Sequence, residues 1–328
     1  MYEKLKSSID QASRIVVIQA ENPDGDSLGS ALALEEVLSD QGKQVSLYCP
    51  VDIPKYIRYL EGWSRVTNEF NFKADLAVIV DTASEVLLSK LLNDPAIRKF
   101  LYDKPVIVID HHHDTQPDLQ FSHQLVLEQA VSTSEELCKV FNKLGWNVNS
   151  QAAENLLAGI MSDSLGLTTP NTTAETYETA AELVKLGATP SKIDEARREL
   201  MKKSPEILAY KGRLIERVEY HLDGSLATVH IPWEEIKEYS DQYNPNVLIL
   251  EEMRLVTDVK VAVAIKTYPD GKLTGKVRSS VPVAEKIAGF FGGGGHPYAS
   301  GFRVYEDYDK ILGELVKATD DILKDEAI

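Results

Sequence analysis

The sequence predicts an α/β fold: an N-terminal parallel sheet with helices on both faces, and a smaller C-terminal α/β unit. Two observations carry that expectation. Short apolar runs at 14–20 (RIVVIQA), 44–48 (QVSLY), 75–81 (DLAVIVD) and 105–110 (PVIVID) alternate with helical patterns, as expected of strands buried on both sides. Beyond Gly187 the pattern changes to hairpins, and a chain of 328 residues is long for one core.

The elements follow in order. After the first strand, Asn22-Pro23-Asp24-Gly25 reads as a turn. Leu28, Ala31, Leu32, Leu34, Val37 and Leu38 then recur at helical spacing until Gly42. Helices are expected near 84–102, 133–144, 150–163 and 174–187. Residues 190–215 are charged and helical in character, with a break at Ser204-Pro205. Asp223-Gly224 and Pro269-Asp270-Gly271 each separate strand-like runs and signal hairpins. Helices near 283–290 and 307–324 complete the second unit. The expected organisation is a domain at 1–188, a helical linker at 189–212 and a second domain at 213–328, with a cleft between the domains.

Composition narrows the function. Cys49 and Cys138 lie far apart without metal-binding spacing, so a disulfide scaffold is not expected. No apolar stretch approaches the ~20 residues of a membrane span, and the polar start MYEKLKSSIDQ lacks a signal-peptide core. A cytoplasmic location is the expectation. The net charge of −16 disfavours a long nucleic-acid duplex and favours a short phosphorylated ligand bound by metals and a few local cations.

Chemistry concentrates in one series. Asp24 and Asp26 follow the first strand, Asp81 ends the third, and Asp110-His111-His112 ends the fourth. Ligands of open parallel sheets bind beyond those strand ends. Clustered carboxylates repel one another unless a cation neutralises them. Oxygen and imidazole donors together suit Mn²⁺, with Mg²⁺, Co²⁺ or Fe²⁺ as competitors. Two such ions roughly 3.5–4 Å apart can clamp a phosphoryl group through an in-line displacement. In the second unit, Gly292-Gly293-Gly294-Gly295-His296 permits positive φ and close approach to an anion, and Arg278-Ser279 lies on the preceding strand.

Five motifs in order, NPDGDSLGS (22–30), VDTAS (80–84), IDHHHD (109–114), GIMSDSLGL (159–167) and FGGGGHPYASGF (291–302), resemble the DHH/DHHA1 family of phosphoesterases. Within it they are similar to the nanoRNase and 3′-phosphoadenosine-5′-phosphate (pAp) phosphatase branch. The resemblance spans nearly the whole chain. It implies that Asp24 and Asp81 hold a first metal, and that Asp26, Asp81, His111 and Asp163 hold a second, with Asp81 bridging. It gives His112 the scissile phosphate, as electrostatic stabiliser or proton donor to the leaving oxygen. Asp110 buttresses that loop, and His113 faces solvent. Arg278, Ser279, Gly293, Gly294, Gly295 and His296 would read the far end of the nucleotide. Tyr298 stacks on a base or belongs to the core or the rim.

One position departs from the family. Where its members carry a metal-binding histidine, three residues before the proline of the first turn, this chain has Ala20. Gln19 and Glu21 should point away by strand alternation, and Asn22 is a poorer ligand. The sequence leaves four outcomes open: another group completes the first site, the first ion binds weakly, one tightly held ion suffices, or the chain binds nucleotides without turnover. The implied substrates are oligoribonucleotides of a few residues, cut to nucleoside 5′-monophosphates, and pAp, cut to AMP. Linear or cyclic dinucleotides (pApA, cyclic di-AMP) are alternatives, and inorganic pyrophosphate is a distant third. The oligomeric state is not legible, a homodimer being one option.

Overall fold

A computed structural model describes residues 2–113 and 116–326. Asp114, which closes the IDHHHD motif, lies outside the described residues, as do Met1, Ala327 and Ile328 at the ends of the expected domains. The chain divides into two units, Met1–Lys202 and Lys203–Ile328.

The first unit is built on five parallel strands: β1 (Arg14–Ile18), β2 (Gln44–Tyr48), β3 (Leu76–Val80), β4 (Val106–Ile109) and β5 (Gln124–Val126). Their order is β2-β1-β3-β4-β5. The first four are the apolar runs, and β3 and β4 are buried along their whole length. The sequence reading missed β5, whose three residues include two polar or half-buried positions and give no apolar run. On one face, helices Gly25–Asp40, Thr133–Leu144 and Ser150–Asp163 bury Leu28, Leu32, Phe141 and Leu156 against Val17, Val78 and Ile107. On the other, Ile97, Phe100 and Leu101 pack on Val16, Ile79 and Val108. The helix expected over 84–102 is broken. A turn at Val86–Leu88 and a short helix Ser89–Leu92 precede Pro95–Asp103. Proline cannot donate in a helix interior, so the helix restarts with Asp94 as N-cap and Pro95 in its first turn.

Helices Gly25–Asp40 and Ser150–Asp163 pack almost backbone to backbone. A Cβ on Gly29 would lie 2.6 Å from the Asn155 carbonyl oxygen, and one on Gly159 only 2.0 Å from Ser134 Oγ. Close approach, rather than backbone freedom, is what glycine provides at both positions.

The second unit holds a six-stranded sheet: β6 (Glu219–His221), β7 (Leu226–Ile231), β8 (Val261–Thr267), β9 (Leu273–Ser279), β10 (Gly294–His296) and β11 (Ala299–Val304). Their order is β10-β11-β9-β8-β7-β6. β6–β7 and β8–β9 are the antiparallel hairpins that the turn residues signal, while β7 and β8 run parallel. The crossover between them contains helices Trp233–Tyr239 and Pro245–Arg254, which the sequence reading did not anticipate. The 189–212 segment is helical for most of its length, in helices Pro190–Leu200 and Pro205–Glu216. Ile193, in helix Pro190–Leu200, joins the first unit's core, and Ile207, Tyr210 and Leu214, in helix Pro205–Glu216, join the second's. Among the described residues, no helix is long and apolar enough to cross a membrane.

Candidate metal centre

The strand order 2-1-3-4-5 reverses direction between β1 and β3, where open α/β sheets bind ligands. Asp24 stands just after β1. Its carboxylate caps helix Gly25–Asp40 by accepting the Asp26 and Ser27 N–H groups, each at 3.0 Å. Burial raises the Asp24 pKa, against the lowering effect of those N–H donors.

Asp26, one residue into that helix, is fully buried and aimed at the start of helix Thr133–Leu144. It accepts the backbone N–H groups of Thr133 at 2.6 Å and Ser134 at 2.9 Å. The first N–H groups of a helix have no partner inside it and favour negative charge. The side chain is thereby fixed before any cation arrives.

Asp81 follows β3 with φ of +66°, a left-handed conformation that costs an L residue about 1–2 kcal/mol. Its N–H still donates to Ile109, so the strain turns the carboxylate without releasing the sheet. Thr133 Oγ1 donates to Asp81 Oδ1 at 3.0 Å. Burial, then the charges of Asp26, Asp24 and Asp163, raise the Asp81 pKa well above the carboxylate range.

His111, after β4, places Nε2 3.2 Å from Asp163 and 3.6 Å from Asp81. That nitrogen is buried, yet no partner among the described residues is aligned with it as a hydrogen bond. Burial pushes the His111 pKa down, but Asp163, Asp26 and Asp110 outweigh it and the net shift is upward. Asp163 closes helix Ser150–Asp163, and burial with the neighbouring Asp26 and Asp24 pushes it up to about 6.

Donor atoms of Asp26, His111 and Asp163 lie within 4.8 Å of one another, as do those of Asp81, His111 and His112. Asp81 and Asp163, whose protonation is favoured by burial and then by neighbouring carboxylates, stand with Asp26 around the His111 nitrogen, and this donor set fits a divalent cation in chemistry and spacing. Asp24 joins neither triplet.

His112 behaves differently. Its Nδ1 is 2.7 Å from Asp110 Oδ1, which also accepts the N–H groups of His111 at 2.8 Å and His112 at 3.3 Å. Burial would raise the Asp110 pKa, but these bonds and the His112 charge hold it below the ordinary value. The His112 ring remains half exposed and opens on a cavity of about 710 Å³, also lined by His113, Gln129, Glu135, Asn171 and Thr173. His113 is exposed.

Around Ala20 the structure shows where its neighbours went. Ala20 is buried but belongs to neither apolar core of the first unit. Glu21 turns to the Ser89–Lys90 segment, accepting Ser89 Oγ at 3.0 Å and Lys90 N–H at 3.2 Å. Asn22 is exposed, and Gln19 is fully buried with its side-chain amide making no hydrogen bond among the described residues.

In the second unit, Arg278 is half buried and Nη1 donates to the Val277 carbonyl at 3.1 Å. The Ser279 hydroxyl is turned inward, donating to the Lys260 carbonyl at 2.8 Å and accepting Val281 N–H at 3.2 Å. With both bonds made, the hydroxyl helps shape the turn behind Arg278. The glycine run is not an open loop. Gly292 and Gly293 bond back to the preceding helix, and Gly294, Gly295 and exposed His296 form the edge strand β10.

Sequence reasoning missed Thr133 and Ser134, which anchor two of the carboxylates. The signal was present in VSTSEE, where Ser132 reads as an N-cap three residues before Glu135. What the pattern could not show is which carboxylate that helix start would meet.

Carboxylates and imidazoles converging at the switch point of a parallel sheet define a class, phosphoesterases built around divalent cations. Comparison with known proteins agrees. Residues 14–160 match the DHH family, N-terminal domain. The chain is 30% identical over 286 residues to the bifunctional oligoribonuclease and PAP phosphatase NrnA of Thermus thermophilus, covering 85% of this chain and 81% of that protein. It is 25% identical over 322 residues to the protein of the same name from Bacillus subtilis, covering 96% and 97%. An exopolyphosphatase-related protein from Bacteroides fragilis shares the fold with a TM-score of 0.83 at 22% identity, over 99% of this chain and 95% of that one. The chain belongs to the DHH family, in the group of bifunctional oligoribonucleases and PAP phosphatases.

Proposed function

We propose that this protein hydrolyses short phosphorylated nucleotides, releasing nucleoside 5′-monophosphates from oligoribonucleotides of a few residues and converting pAp to AMP and phosphate. The observation that carries the reading is the convergence of Asp26, Asp81, His111 and Asp163 beside a half-exposed His112 that opens on a cavity.

Asp26, Asp81, His111 and Asp163 would hold one Mn²⁺, and Asp24 with Asp81 a second, with Mg²⁺ or Co²⁺ as competitors. When bound, such cations supply Lewis acidity to the phosphoryl group and to an attacking water. The protein's own groups do the rest. Thr133 and Ser134 hold Asp26 and Asp81 in place. Asp110 fixes the His112 ring through Nδ1, which leaves Nε2 to meet the leaving oxygen with a proton. Arg278, the glycine strand and His296 bind the distant phosphate and base. Short RNA and small nucleotides are the partners this reading takes, and the cytoplasm its setting.

Ala20 favours a second reading, nucleotide binding without turnover. Hydrolysis of pAp, an RNA dinucleotide, a longer RNA, pApA and cyclic di-AMP with Mn²⁺ separates the two, with Asp81→Ala controlling for contaminants. Turnover of pAp and the dinucleotide, lost in Asp81→Ala, is expected. Retained nucleotide binding with no turnover of any compound would leave the second reading standing.

A further inference from the structure

Two hydroxyl groups of the first unit converge on Gly25, at the edge of the candidate metal centre. Gly25 opens helix Gly25–Asp40, directly after Asp24 and directly before Asp26. A Cβ at Gly25 would strike Ser162 Oγ and would lie 3.4 Å from Tyr59 Oη. Glycine is required here because the two hydroxyls stand where a side chain would go. Ser162 immediately precedes Asp163 at the end of helix Ser150–Asp163. The corner is thus flanked along the chain by Asp24, Asp26 and Asp163, and it lies wholly within the first unit.

Other hydroxyls around the centre are engaged within the protein. Thr133 Oγ1 donates to Asp81 at 3.0 Å, Ser134 Oγ bonds Ser30 Oγ at 2.9 Å, and Tyr56 Oη donates to the Pro23 carbonyl at 3.4 Å. Tyr59 Oη and Ser162 Oγ make no hydrogen bond among the described residues. A part-buried tyrosine ordinarily has a partner for its O–H. The Tyr59 ring is nevertheless held, packed against the first unit's core. Burial raises its pKa, Arg197 lowers it and Asp24 raises it, so the phenol lies near a guanidinium as well as a carboxylate. A fixed O–H donor beside a cation suits an anionic oxygen, and hydrogen bonds to charged oxygen are stronger than neutral ones.

We propose that Tyr59 and Ser162 each donate a hydrogen bond to a non-bridging oxygen of the phosphoryl group bound at the Asp24 side of the centre, and so position substrate for hydrolysis. That side is the one where Ala20 leaves the first cation a ligand fewer, so neutral hydroxyl donors carry more of the hold on the phosphate there. Neither hydroxyl gives up its proton; both orient the anion. The inference deepens the nucleotide-hydrolase reading and rests on it for the identity of the anion. Because the two hydroxyls have no partner inside the protein, removing them should leave the fold intact.

The test compares the full chain with Tyr59→Phe, Ser162→Ala, the double variant and Tyr56→Phe. Calorimetry measures Mn²⁺ affinity, then the affinity of the Mn²⁺-loaded protein for inorganic phosphate, and KM and kcat are measured for pAp. Tyr59→Phe and Ser162→Ala are each expected to bind phosphate about tenfold more weakly. KM for pAp should rise by about the same factor, with a smaller change in kcat, while Mn²⁺ affinity and Tm stay at the wild-type values. Tyr56→Phe, which loses a hydroxyl bonded to a backbone carbonyl, should match the wild type. Wild-type phosphate affinity in the double variant, or failure of the loaded wild type to bind phosphate, overturns the proposal. Equal weakening in Tyr56→Phe overturns it too, as does a parallel loss of Mn²⁺ affinity, which would mean that the hydroxyls support the ligands and not the anion. If phosphate binding weakens as expected but no protein hydrolyses pAp, the hydroxyl pair stands and the hydrolase reading falls.

Discussion

Residue by residue, the site depends on groups placed where they are individually unfavourable. Asp81 sits in a left-handed conformation among four other carboxylates, Asp26, Asp24, Asp163 and Asp110, an arrangement that stores repulsion for a cation to relieve. At position 20 this chain has alanine where the family resemblance implies an imidazole. Ala20→His should tighten the more weakly held Mn²⁺ by about tenfold. Calorimetric metal titration showing unchanged stoichiometry and affinity would sink the view of Ala20 as a missing ligand. Glu136, in helix Thr133–Leu144, stands outside the ligand set. It is fully buried with no side-chain partner among the described residues, and burial followed by Glu128 pushes it from 4.5 to about 7. Between those values the folded state binds more protons than the unfolded chain, so stability falls as pH rises and the full cost is present above about pH 7. Glu136→Gln is therefore expected to stabilise the protein by about 1–3 kcal/mol at pH 8. The gain should vanish near pH 4.5 in urea melts, and a gain independent of pH would refute the assignment.

Among the elements, the contact of helices Gly25–Asp40 and Ser150–Asp163 decides the geometry, because Asp26 of the one and Asp163 of the other belong to the candidate metal centre. Gly29→Ala tests it. Alanine improves helix propensity by about 1 kcal/mol, but its Cβ would meet the Asn155 carbonyl, a backbone atom, at 2.6 Å. Overpacking costs about 1–3 kcal/mol and should win, lowering the urea midpoint and weakening Mn²⁺ binding together. A neutral or stabilised variant would mean the helices are further apart than described. The same scale shows what was readable. The four apolar runs and the helix read from Ser27 to about Gln41 followed from periodicity and the Gly42 stop, since both are local. β5, the crossover helices and the break at Pro95 were misjudged. A three-residue polar strand exists only through its neighbour β4, and the break depends on Asp94 capping a new helix.

For the whole molecule, 51 acidic against 35 basic side chains and a knot of buried carboxylates make the metal-free state electrostatically strained. Mn²⁺ at about 100 times its Kd should stabilise the folded state by about 3 kcal/mol, a rise of a few degrees in Tm. EDTA should reverse it, and Asp81→Ala should abolish most of it. A Tm indifferent to Mn²⁺ would contradict the site. The sequence by itself determined the class of fold, the donor types and their order along the chain, because strand runs, turn residues and carboxylates after strands are local features. Only the tertiary structure decided that Thr133 and Ser134 hold Asp26 and Asp81, that Ser279 faces inward, and that Tyr59 and Ser162 meet at Gly25. Those facts depend on helix contacts and strand register, which bring together residues that no local pattern relates.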